Sequence, residues 1–239
     1  MVVKSGKDTM EQGQSFAPGG KASAEVSGAV NDVELESTVR ALYGDVRPSP
    51  CPFTPQEVAE LSRTNEMLVY VPKGMTASEM CRRWGFRSNV DFDSDRLIRY
   101  TMTTEDHWFV TSMSKTPELM YRSGVAAKRA FEDEGLHGMD VRRYLAFAAT
   151  YRHRFGVLPD QVYWTFLLGG AYDRSGVSIL GFDAHGVLNH HGWMKDFKAK
   201  FVGSRYVVLA PRLEVTPETI DLPRAYRGGG RAGREADMD

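Results

Sequence analysis

The sequence predicts an α+β fold, a single domain in which a mostly antiparallel β-meander in the C-terminal half packs against helices from the N-terminal two-thirds. Three observations carry that expectation. The densest β-branched and aromatic residues fall in four apolar bursts, 162–168, 177–182, 187–193 and 206–210, separated by turn residues. Helix-start signatures concentrate upstream of residue 156. No repeat at a fixed period and no β-α-β alternation interrupts this order.

The elements follow along the chain. Residues 1–31 are rich in Gly, Ser, Ala, Gln and Lys, a composition that cannot offset ordering entropy, and they read as a disordered tail. A helix is expected over 33–42, capped by Asp32, with Val33, Leu35, Val39 and Leu42 apolar and Gly44 past its end. A Pro-rich connector, 45–53, leads to Thr54-Pro55-Gln56-Glu57. That is a capping box with proline at the first helical position, and Val58 and Leu61 face inward from the short helix it opens. A strand over 67–71 follows. Thr76-Ala77-Ser78-Glu79 then opens a second boxed helix that Gly85 ends.

Strands are expected at 97–103 and 107–112 around a Thr104-Glu105-Asp106 loop. Thr116-Pro117-Glu118 reads as the start of a helix running toward Glu134, with Ser123-Gly124 as an interruption or kink. Asp140 caps a helix over 141–155, where Val141, Tyr144, Ala148, Tyr151 and Phe155 form one apolar stripe with Arg142 and His153 opposite. Beyond the meander, 213–223 is an irregular exit and 224–239 an Arg/Gly-rich disordered tail. The domain is therefore expected to span 32–223.

With 42% hydrophobic and 26% charged residues and a formal net charge of −1, the 239-residue chain has the composition of a soluble protein. Its charge gives no whole-molecule pull toward nucleic acid or an anionic membrane. The longest apolar run falls far short of the ~20 residues that span a bilayer, and no apolar segment follows Met1 as in a secretory signal. Cys51 and Cys81 lack zinc-ligand spacing. They read as two thiols in a reducing compartment, with a single disulfide between them as the alternative. The expectation is a cytoplasmic protein with no membrane partner.

Several constellations bear on chemistry. Asp183, His185, His190 and His191 offer four possible metal ligands within nine positions, and a divalent-metal site would need three or four of them to converge. His190 and His191 must face opposite sides of a strand, and Asp183 with Gly186 is ordinary turn chemistry, so the plainer reading is a hairpin turn. Asp91, Asp93 and Asp95 alternate as in a calcium loop, yet Arg96 stands where Gly is needed and Met102 where a bidentate Glu belongs. Arg142, Arg143, Arg152 and Arg154 interleave with aromatics and could grip a phosphate backbone, although arginine stems also cover apolar surface. Gly169, Gly170, Gly176 and Gly181 match no phosphate-loop spacing and read as close backbone approach. No nucleophile elbow is present, and neither cysteine has a histidine at a recognisable local spacing.

The functional expectation is accordingly a non-enzymatic binding or interaction module with no resident cofactor, a protein partner being favoured over nucleic acid. The alternatives are a metal-dependent hydrolase on the Asp183/His185/His190/His191 cluster and an RNA-binding protein using the basic helix and the Arg-rich tail.

Overall fold

A computed structural model describes residues 32–94, 105–170 and 176–209. Among them are five helices: α1 (Asp32–Tyr43), α2 (Pro55–Arg63), α3 (Ala77–Trp84), α4 (Gly124–Asp133) and α5 (Val141–Phe155). Nine strands form two sheets. β1 (Glu66–Val71), β3 (His107–Ser112), β9 (Tyr206–Leu209) and β4 (His137–Gly138) lie in that order in the first, all antiparallel. The second has the order β2 (Arg87–Ser88), β7 (Val187–Met194), β6 (Gly176–Phe182), β5 (Trp164–Phe166) and β8 (Val202–Ser204). In it β5, β6 and β7 are antiparallel, and the two edge strands join in parallel. The α+β fold is therefore the one expected. The predicted tails, the strand at 97–103 and the exit at 213–223 lie outside the described residues.

Local chemistry sets the helix ends. Thr54 and Thr76 form complete capping boxes with Glu57 and Glu79, so the orphan N–H groups of α2 and α3 are satisfied within their first turns. Thr76 Oγ1 also donates to Asp93 Oδ2 at 2.7 Å, and Ser78 Oγ to Asp91 Oδ1 at 2.6 Å. The acidic run after β2 thus docks on the positive end of α3, and the Ser78 hydrogen bond, followed by those of Asp93 and Ser94, holds the Asp91 carboxyl below its ordinary value. Replacing Thr76 with Ala removes both roles and should lower stability by about 1–2 kcal/mol, read by urea denaturation. An unchanged midpoint would contradict it.

One core joins the layers. α5 contributes Tyr144, Leu145, Phe147 and Ala148, β1 and β3 contribute Val69 and Phe109, and the second sheet adds Leu180 and Phe182. All eight are fully buried or nearly so. The expected stripe on α5 is too narrow, because Val141–Tyr151 is buried on every side apart from half-buried Arg143. Arg142, expected to face away from the stripe, is 1% exposed and donates to the Pro72 carbonyl at 2.5 Å. A helix packed from all sides has no solvent face for it.

Two other expectations are corrected. The helix from Thr116 does not form there, since α4 begins at Gly124 and Ser123, read as a kink, is its N-cap. The backbone of Glu118 instead exchanges hydrogen bonds with Ser204 in both directions, and this tertiary pairing takes the groups a helix would need. The fourth apolar burst does not extend the meander either. The chain leaves β8 through Arg205 and enters the first sheet as β9, between β3 and β4.

Two of the four glycines, Gly169 and Gly181, make the close approach expected of them. A Cβ on Gly169 would lie 2.5 Å from the Gly138 carbonyl, and one on Gly181 would collide with the Tyr163 carbonyl.

Candidate functional site

The four residues expected as metal ligands belong to one hairpin but are not gathered. Asp183 Oδ1 accepts from the backbone N–H groups of His185 and Val187 at 2.8 and 2.9 Å, which makes it the anchor of the β6–β7 turn. His185 is exposed in that turn. His190 points into the core against Phe92, with ring centroids 5.9 Å apart. His191 points to the opposite face, 5.1 Å from the ring of Trp164. Among the described residues no group of three or more His, Cys, Asp or Glu side chains is placed to hold a metal ion.

The four arginines proposed for nucleic acid are largely engaged with the fold. Besides Arg142 inside the core, Arg143 pairs with Asp140 at 3.4 Å and donates to His107 Nε2 at 3.3 Å. Arg152 donates to the Trp84 carbonyl and lies 4.5 Å over the Phe86 ring. Only Arg154 of the four is exposed, its guanidinium over Phe155. Cys81, in α3, is a thiol rather than half of a disulfide, and burial pushes it up to about 12, far from the reactive thiolate range.

Sequence reasoning missed two features. The first is a buried charge centre where the chain passes from one sheet to the other. Arg205 and Asp160, both fully buried, form a bidentate pair: Nε donates to Oδ2 at 3.0 Å and an NH2 nitrogen to Oδ1 at 2.6 Å. Thr165 Oγ1 donates to the same carboxylate at 2.7 Å, Arg205 also donates to the Ser114 carbonyl at 2.9 Å, and the guanidinium lies 4.4 Å over the Phe147 ring. Burial holds the carboxyl of neighbouring Glu118 above its ordinary value, against the pull of Arg205.

Asp160 sits at φ +52, and Leu119, Tyr121 and Val162 close by also take positive φ. Each costs ~1–3 kcal/mol, so surrounding contacts must hold them. This centre is enclosed and held by the bidentate pair, with the remaining guanidinium nitrogen 3.9 Å from Glu118 and without a hydrogen bond, and such an enclosed pair has the geometry of a structural lock. The sequence signal was Arg205 itself, the one charged residue between Val202 and Ala210.

The second feature is the outer face of the second sheet, the side turned away from α5. Phe166, Val177, Ile179, Ala199 and Val202 form a small separate core there, with Trp164, Leu168 and Trp193 packed against it. Residues 195–201 cross this core. They are anchored to α4 by the Val125 N–H on the Lys195 carbonyl at 3.1 Å, and to β5 by the Trp164 N–H on the Phe201 carbonyl at 2.9 Å. The crossing leaves large apolar side chains in solvent: Phe197 is 49% exposed and Phe201 45%. Phe197 and Phe201 flank Trp193 edge-on, with centroids 5.7 and 6.1 Å from it. Exposed Tyr121 and Val125 adjoin them, and Lys195, Lys198 and Lys200 are exposed among them. The signal in the sequence was three lysines alternating with two phenylalanines in KDFKAKF.

Fold and face together define a class, an α+β protein with two mostly antiparallel sheets on one helix-centred core and an aromatic, basic outer face. Comparison with family models, curated proteins and solved structures finds no match for this chain. No helix among the described residues is long and apolar enough to cross a membrane.

Proposed function

We propose that the protein is a non-enzymatic binding module whose working surface is the outer face of the second sheet. The observation that carries this is the pair of exposed rings, Phe197 and Phe201, beside half-buried Trp193. Aromatic residues are enriched where proteins meet partners, and contiguous apolar surface in water is a liability unless something covers it. The hydrolase alternative needs Asp183, His185 and a histidine of β7 on one ion, and no specific observation favours it. The buried Cys81 thiol suits a reducing compartment such as the cytoplasm.

The test is positional. A photo-cross-linking side chain at position 197, compared in cells with one at exposed Arg63 on α2, should give a discrete, saturable adduct only from 197. Equal yields from the two positions would reject the reading.

A further inference from the structure

We infer that the outer face binds single-stranded nucleic acid, its aromatic rings stacking bases and its lysines holding the phosphate backbone. This rests on the binding-module reading and names the partner of that same face. The rings form a row along the sheet rather than an isolated tip. His191 and Trp193 are same-face neighbours on β7, two residues and so ~6.6 Å apart. Trp164 lies against His191 on one side, and Phe197 and Phe201 flank Trp193 on the other. Such a row on a sheet presents π-faces to successive bases without regard to their identity.

Charge selects the same ligand. Lys195, Lys198, Lys200 and the adjacent Arg122 are exposed, against one carboxylate in the segment, Asp196. Four basic side chains facing one acid is a local excess in a chain whose formal net charge is −1. Phosphates spaced along a strand complement it. A second copy of the chain would bring like charges together, and lysine is depleted in the cores of protein interfaces. An anionic lipid surface would be served by apolar side chains at a projecting point, whereas here Trp164 and Trp193 are half-buried in the sheet face. Three of the four arginines of α5, Arg142, Arg143 and Arg152, are engaged with the fold, and the helix is not needed.

The experiment is fluorescence anisotropy of the full chain with a labelled oligouridylate and an oligothymidylate of about twelve nucleotides, titrated with salt. Binding should weaken on a log–log slope of about −3, the value for roughly four phosphate contacts on a single strand. The surface variant Lys195→Glu/Lys198→Glu/Lys200→Glu should bind at least about tenfold more weakly and flatten the slope toward −1. Phe197→Ala and Phe201→Ala should each cost about tenfold. The lysine variant touches no packed side chain, so it keeps the test valid if a phenylalanine variant misfolds.

No oligonucleotide binding at low salt, with a protein adduct from position 197, would overturn the nucleic-acid inference and leave the module standing. Absence of both would remove the two together. Co-sedimentation with phosphatidylserine vesicles through the same lysines, without oligonucleotide binding, would overturn the inference in favour of a membrane. Oligonucleotide binding indifferent to the lysine and phenylalanine variants would overturn its assignment to this face.

Discussion

Replacing Asp160 with Asn should lower the unfolding free energy by about 3–5 kcal/mol, the largest loss expected from any single conservative change in this protein. Asn keeps the shape and tolerates the positive φ at this position, so the loss reports charge rather than strain. It leaves the fully buried Arg205 facing a neutral amide, with Glu118 3.9 Å away as its remaining ionic partner. Arg205→Met should cost a similar amount by stranding Asp160. The double variant should lose clearly less than the sum, because it removes both charges of the pair together and strands neither Arg205 nor Asp160. Urea denaturation of the four proteins gives the cycle. Additive losses would mean that the pair does not act as a unit. The site matters because Arg205 is the one residue between β8 in the second sheet and β9 in the first, so the pair fixes how the two sheets meet.

Acid should destabilise the protein through His107, which opens β3 and is 2% exposed. Burial first, then the cations of Arg143 and Arg142, lower this imidazole from 6.5 to about 3, against smaller opposing effects of the Glu105 backbone hydrogen bond and the Asp106 charge. The folded protein therefore refuses, between about pH 6.5 and 3, a proton that the unfolded chain accepts. Stability is complete above that window and is lost as pH falls through it. The full shift corresponds to about 5 kcal/mol, with about 2 kcal/mol gone by pH 5. Charging Nε2 would also abolish the hydrogen bond it accepts from Arg143.

Glu118 acts in the opposite sense. Its folded-state carboxyl is held above the ordinary value, so its contribution is lost as pH rises past about 4.5. His107→Gln cannot charge and keeps an acceptor for Arg143, and Glu118 is common to both proteins. Between pH 7 and pH 5 the parent should lose about 2 kcal/mol more than this variant, measured by denaturant titration at each pH. Parallel losses would show that His107 does not titrate as described.

What was legible in the sequence was what nearest neighbours decide. Thr54, Thr76 and Asp140 cap helices, and Gly85 and Gly156 end them in the left-handed conformation, because each motif closes within four residues. The β6–β7 hairpin was legible through Asp183 and Gly186. What was not legible depends on distant pairing. The first turn expected after Thr116 is lost to Ser204, more than eighty residues on, and β9 changes sheets although its sequence continues the apolar rhythm of the meander. Asp160 and Arg205 are forty-five residues apart, and neither lies in a motif. The helical stripe places Arg142 opposite the core because it says nothing of a second layer packed behind it. Phe197 and Phe201 are not legible as exposed rings, because spacing alone does not separate a core ring from one in water.

That ambiguity sets the most direct test of the account, which holds that these rings serve binding rather than folding. The measurement is the unfolding free energy of Phe197→Ser/Phe201→Ser, alongside cross-linking from position 121 on the same face. The account predicts a loss below about 2 kcal/mol, since both rings are about half in water, together with disappearance of the adduct. A loss above about 5 kcal/mol, approaching the removal of two buried phenylalanines, with the adduct retained, would make them the roof of the small core and contradict the proposal.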